Sequence, residues 1–176
     1  MNTRQDDPRD AAIAEVLADG HVEINLDDPP ERSDLALVGD ATDVLLEKPD
    51  FERFKVTVTF PEGQVLEVDD VKVLGVHTND AGQVSGVTVG LRQLGLKEIE
   101  RRLFDSVERF GVDATKVSRY LRSAAQAKEL GRMVQVTLPA EDITAPEFLE
   151  VQPVVHEDDD EHVLNYRVEW DPGARP

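Results

Sequence analysis

Phe54-Lys55-Val56-Thr57-Val58-Thr59-Phe60 is the stretch from which the fold of this chain is read. Apolar side chains stand at every second position, with Lys and Thr between them. That period puts one set of side chains on a buried face of a strand and the other set in water. Pro61-Glu62-Gly63 interrupts the run and a second apolar run follows over residues 64–77, so the two together predict a hairpin. Thr78-Asn79-Asp80-Ala81-Gly82 supplies the next turn, because Asn, Asp and Gly tolerate positive φ. Val84, Val87, Val89 and Leu91 make a third strand. Leu96 then opens a helix with Ile99, Leu103, Val107 and Phe110 on one stripe. The whole of 54–110 reads as an antiparallel β-unit closed by a helix.

Working outward, residues 1–10 are polar and expected to fray. Asp10 is the expected cap of a short helix through Ala11 to Leu17, ending at Asp19-Gly20. His21-Val22-Glu23-Ile24-Asn25-Leu26 alternates as a strand, and Pro29-Pro30 cannot continue it. Leu35, Leu37 and Val44-Leu45-Leu46 are expected to form further short strands. Asp69-Asp70 interrupts an apolar run; two charges in a core are costly, which predicts a bulge or an exposed strand bend there, with a metal or ligand role as the alternative. After Phe110, Gly111 ends the first helix and Asp113 caps a second, with Val117, Tyr120, Leu121, Ala124 and Leu130 as its apolar stripe. Strands are expected over 132–138, 148–155 and 163–170, the last with Leu164, Tyr166, Val168 and Trp170 on one side. The tract His156-Glu157-Asp158-Asp159-Asp160-Glu161-His162 would tip a hairpin, or hold a cation loosely through carboxylate and imidazole. Residues 172–176 read as a disordered tail.

The chain has 176 residues, enough to bury a substantial core, and 40% of them are apolar. Only 5% are aromatic, so the core must rest on Val, Leu and Ile. Cysteine is absent, which excludes disulfides and thiol chemistry. No apolar run reaches the roughly 18 residues of a membrane span. Residues 1–7 lack the apolar segment of a signal peptide, and the expected compartment is the cytoplasm.

Charge is the strongest global feature. Thirty-seven acidic residues against nineteen basic ones give a formal charge of −18. Such a surface repels phosphate backbones, so nucleic-acid binding is not expected, and neither is a membrane partner. An acidic, lysine-poor surface also suits adaptation to high internal salt, or a protein that mimics DNA; a protein kept soluble by net charge is the plainer reading. Lys116, Arg119, Arg122, Lys128 and Arg132 make the second helix the one basic part of the chain. They are the candidate surface for an acidic partner, including the acidic face of a second copy. The stripe on that helix, if larger than one small domain can cover, would favour a homo-oligomer.

Residues 21–110 resemble a PilZ domain, a six-stranded antiparallel β-barrel followed by a helix. The resemblance is carried by Phe60-Pro61-Glu62-Gly63 with Val65-Leu66-Glu67-Val68 as a hairpin. Val87-Thr88-Val89-Gly90-Leu91-Arg92-Gln93-Leu94 corresponds to the last strand, with Lys97-Glu98-Ile99-Glu100-Arg101-Arg102-Leu103 as the helix behind it. It implies a mainly β fold with helices: a polar segment and short helix over 1–20, the PilZ-like barrel and closing helix over 21–111, a small C-terminal α+β extension over 112–171, and the tail.

The resemblance stops short of the family's ligand signature. PilZ receptors for cyclic di-GMP carry two arginines separated by three residues and then an Asp/Asn-x-Ser-x-x-Gly turn. Here Arg4 and Arg9 are separated by four residues and sit among aspartates, and the turn is absent. The implied function is therefore a non-catalytic regulatory or adaptor protein working through protein contacts, with no cofactor, no metal and no cyclic di-GMP. A cyclic di-GMP receptor using Arg92, Arg101, Arg102 or Arg119 is the alternative. Catalysis is not expected, because none of the four histidines has a companion at diagnostic spacing. Gly82, Gly86 and Gly90 recur every four residues, but the valines between them read as strand and not as a phosphate loop.

Overall fold

The computed structural model describes residues 7–157 and 161–173, leaving aside the side chain of Lys128. Two sheets and the helices that cover them share one hydrophobic core. Helix α1 (Pro8–Val16) precedes β1 (His21–Asn25), and β2 (Asp43–Leu46) follows a single 3₁₀ turn at Ser33–Leu35. The central unit comprises β3 (Phe54–Thr59), β4 (Val65–Val71), β5 (Val73–Thr78), β6 (Val84–Leu94) and α2 (Leu96–Phe110). Helices α3 (Ala114–Ala125) and α4 (Ala127–Leu130) lead to the two-residue strands β7 (Val134–Gln135) and β8 (Leu138–Pro139). A long hairpin of β9 (Phe148–Val155) and β10 (His162–Glu169) follows.

The smaller sheet runs β1-β3-β4, and the larger runs β2-β5-β6-β10-β9-β7 with β8 also on β9. The mainly β architecture with helices is as expected, but the six-stranded antiparallel barrel is not what forms. Neither sheet closes on itself, and β1 pairs with β3 in parallel. The reason lies in the C-terminal hairpin: β10 takes the free edge of β6 and brings β9 with it, so the larger sheet extends outward where a barrel would curl shut.

The period-2 pattern of β3 buries Phe54, Val56 and Val58, and Phe60 is buried just beyond the strand. Asp69 and Asp70 lie exposed at a register shift opposite β3, where Asp70 takes a φ of 61°. They form the bulge that their charge predicts, and β4 ends one residue later. The Lys72 N–H then crosses to the Gly90 carbonyl at 2.9 Å, starting the larger sheet where the smaller one stops. The β5–β6 turn is an Asx turn: Asn79 Oδ1 accepts from the N–H groups of Ala81 and Gln83, at 3.0 Å each.

Helix α2 buries Ile99, Leu103 and Phe110 and packs on α3 and on the inner face of β9 and β10. Arg109 Nη2 ties it to the Val65 carbonyl of β4 at 2.7 Å. Asp113 caps α3 by accepting from the Lys116 N–H at 2.9 Å.

Several expectations need correction. The cap of α1 is Asp7, not Asp10: its carboxylate accepts from Arg9 N, and Pro8 sits at the first helical position, where a missing N–H costs nothing. Residues 8–10, expected to fray, therefore belong to a helix, while 1–6 lie outside the described residues. Leu35 and Leu37 belong to no strand, because Ala36 adopts a left-handed backbone (φ 59°) that breaks any extended run. The second helix stops at Ala125, and Leu130 lies exposed beyond the break. The 132–138 strand is two short pairings instead of one. Of the tail, Gly173 is held by its N–H donating to Asp171 Oδ1, and 174–176 lie outside the described residues.

Candidate functional site

The outer face of the larger sheet, opposite the helices, carries an open groove of about 630 Å³. Its floor follows from the pleat. Leu74, Val76, Val87, Val89 and Leu91 point into the core, so Val73, Gly75, His77, Thr88, Gly90 and Arg92 must point out. Two of those six are glycines, which leaves a depression in the sheet. Leu45 from β2 and Phe51 from the 3₁₀ turn Pro49–Phe51 line its sides. Both are large apolar side chains left in water, at 63% and 72% exposure. Phe51 is held there by a costly backbone: Asp50 and Phe51 have φ of 57° and 56°, and Lys72 Nζ donates to the Phe51 carbonyl.

Arg92 is the best-placed charge in the groove. Its Nη1 donates to the Leu91 carbonyl at 3.0 Å and to Asn165 Oδ1 at 2.9 Å. A Cβ on Gly90 would stand 2.9 Å from that same Nη1 and 2.6 Å from Val73 Cγ1, so the guanidinium lies close over the glycine. Burial pulls the Arg92 pKa below its ordinary value, while the charge of Glu47, also on the groove wall, acts in the opposite direction. His77 Nε2 is 3.1 Å from Thr88 Oγ1 across the neighbouring strand.

Lys116, Arg119 and Arg122 stand on the exposed side of α3, and Arg132 is exposed in the turn that follows α4. Among the described residues none of these four forms an ion pair, and the side chain of Lys128 lies outside the described set. The apolar stripe of the same helix is used internally. Val117, Tyr120 and Ala124 are buried in the chain's own core, and the Tyr120 hydroxyl donates to the Val134 carbonyl at 3.1 Å. Of the remaining stripe residues Leu121 is half-buried and Leu130 is exposed, with Met133 exposed near it.

The arginines of the alternative receptor reading are not gathered. Arg92 is on the outer sheet face, whereas Arg101 and Arg102 are on α2 and both bind Glu98, with contacts of 2.7 Å. Arg119 is on α3. His162 is buried at the start of β10, and its Nδ1 accepts the His156 N–H at 3.2 Å, so that nitrogen is not open to a cation. Asp158–Asp160 of the same tract lie outside the described residues, and no group of three or more metal-ligating side chains occurs among the described ones. No helix is long and apolar enough to cross a membrane.

Sequence reasoning passed over the groove. Its signal was the four-residue recurrence of Gly86 and Gly90: in a strand, positions four apart share a face, so the glycines share theirs with Thr88 and Arg92. Comparison with protein-family models, curated proteins and solved structures finds no match.

Proposed function

We propose that the protein is a non-catalytic regulatory or adaptor protein that binds an acidic partner protein through the exposed basic face of α3. The observation that carries this reading is the grouping of Lys116, Arg119 and Arg122 without ion pairs among the described residues, on a chain of charge −18. In a background this acidic, a cationic face speeds and orients encounter with an acidic surface. A second copy of the chain qualifies as such a partner. The PilZ-like reading of the central unit belongs to the same proposal. The succession of β3 to β6 with α2 directly behind supports it, and the open larger sheet is where this chain departs from that pattern.

The test is capture of partners at the ionic strength of the native host, with the wild type beside an Arg119→Glu, Arg122→Glu double variant. An acidic protein retained by the wild type and lost by the variant supports the reading; equal capture by both removes α3 from it. Light scattering across a salt series decides the self-association form, which a monomer at every salt concentration would end. Calorimetry with cyclic di-GMP decides against the adaptor: micromolar binding would put a second-messenger receptor in its place.

A further inference from the structure

We propose that the groove on the outer sheet face binds a small organic carboxylate: a single negative charge on a flat apolar body, received by the Nε–Nη2 edge of Arg92. This inference is independent of α3 and its partner.

Three observations meet here. The first is the state of the Arg92 guanidinium. Nη1 is occupied by the Leu91 carbonyl and Asn165 Oδ1, whereas Nε and Nη2 have no acceptor among the described residues. The edge left open is a pair of parallel N–H donors, the fork that matches the two oxygens of a carboxylate. Asn165, from the neighbouring strand β10, fixes the orientation of that fork, and Gly90 leaves the space in which it lies. Arg92 lines the open groove, where a bound oxyanion would take the place of water on those donors.

The second observation is size and lining. A groove of about 630 Å³ suits a small organic molecule and is far larger than an inorganic ion needs. Leu45, Phe51 and Val73 line it, and the Gly75 position leaves the sheet flat between them. Phe51 is exposed, in left-handed backbone, with its carbonyl held by Lys72; its ring lines the groove as an apolar surface on which a flat ligand can lie.

The third is charge, which selects among anions. Glu47 shares the wall with Arg92 and Lys72, and the whole chain stands at −18. A multiply charged phosphate would meet that field at full strength; a monoanion meets it once and recovers the loss in the fork and in apolar contact.

The experiment is calorimetric titration of the full chain with 2-naphthoate and, separately, with its neutral isostere 2-naphthamide. Amide chemical shifts of Val73, Gly75 and Thr88 report the location. The expected result is binding of 2-naphthoate with Kd below about 1 mM and shifts at those three positions, with the amide weaker by about tenfold or more. Arg92→Lys keeps the charge and removes the fork, and it should cost about tenfold as well. Should that variant fold poorly, Phe51→Ser changes a side chain outside the core and is expected to weaken 2-naphthoate severalfold. Equal affinity for acid and amide, wild-type affinity in both variants, or no binding at about 10 mM 2-naphthoate would each overturn the proposal.

Discussion

The guanidinium of Arg32 donates to the Gly82 carbonyl at 2.6 Å, linking residues fifty positions apart. Its Nη2 also reaches the carbonyls of Gly39 and Ala41, at 2.8 Å each. One side chain therefore fastens the β5–β6 turn to the irregular segment between β1 and β2, where regular pairing is absent. Arg32→Ala should cost about 2 kcal/mol, since charge-assisted bonds to three carbonyls are lost together. Urea unfolding measures this. Arg32→Lys should recover only part of it, because an ammonium cannot span the three acceptors. An Arg32→Ala midpoint equal to that of the wild type would mean that other contacts hold the segment.

Gly111 ends α2 with a φ of 68°, and a Cβ there would lie 2.6 Å from the Asp142 carboxyl carbon. Gly111→Ala combines left-handed strain with that clash and should destabilise by about 1–2 kcal/mol. Gly90→Ala tests the groove floor in the same units. Its Cβ would displace Val73 or Arg92, at a cost of about 1–3 kcal/mol.

Alkaline stability should be limited by two tyrosines. Burial pushes the phenols of both Tyr120 and Tyr166 above their ordinary value of 10.0. Their folded pKa values are raised, so their contribution is complete below pH 10 and is lost as pH climbs through the folded values. Unfolding midpoints measured from pH 8 to 12 should fall over the upper part of that range, and Tyr120→Phe should flatten the fall. A flat profile in the wild type would contradict the assignment.

On the acid side the informative group is Glu98. A hydrogen bond from Arg101 holds its carboxyl below the ordinary 4.5, and the charge of Arg102 adds to the effect. A lowered folded pKa means that the contribution is present above pH 4.5 and disappears as pH falls through the folded value. Glu98→Gln should match the wild type at low pH and fall slightly below it above pH 4.5, so that part of the acid limb flattens; the loss at neutral pH is small because Arg101 is exposed. A wild-type-like acid limb in the variant would count against it.

Local period foretold a good part of this architecture. The alternation over 54–60 and 163–170 gives β3 and β10 with their buried faces, and the 3.6-residue stripe of Ile99, Leu103 and Phe110 gives α2. The Asp69-Asp70 interruption marks a true bulge, since charge exposure there is decided by neighbours in sequence. What period cannot carry is who pairs with whom. The pattern of β1 is the same whether its partner is parallel or antiparallel, and nothing within β10 says that β6 will be its neighbour. The basic face of α3 was legible because it is a helix surface. The groove was not, because it joins Leu45, Phe51, Gly75 and Arg92 from four separate segments. Phe51 had no pattern at all; it sits in the 3₁₀ turn Pro49–Phe51, where it and Asp50 are left-handed.

The insertion of β10 beside β6 bears on how a ribosome delivers this protein. Synthesis is vectorial, and the eleven residues of β6 emerge long before the strand that will cover that side. Until the last hairpin leaves the exit tunnel, the nascent chain carries a Val-rich ladder of bare N–H and C=O groups, the template on which two unfinished copies would stick to one another. Ribosomes stalled before β10 should therefore hold chains that recruit holdase chaperones, and release of the final strand should end that need.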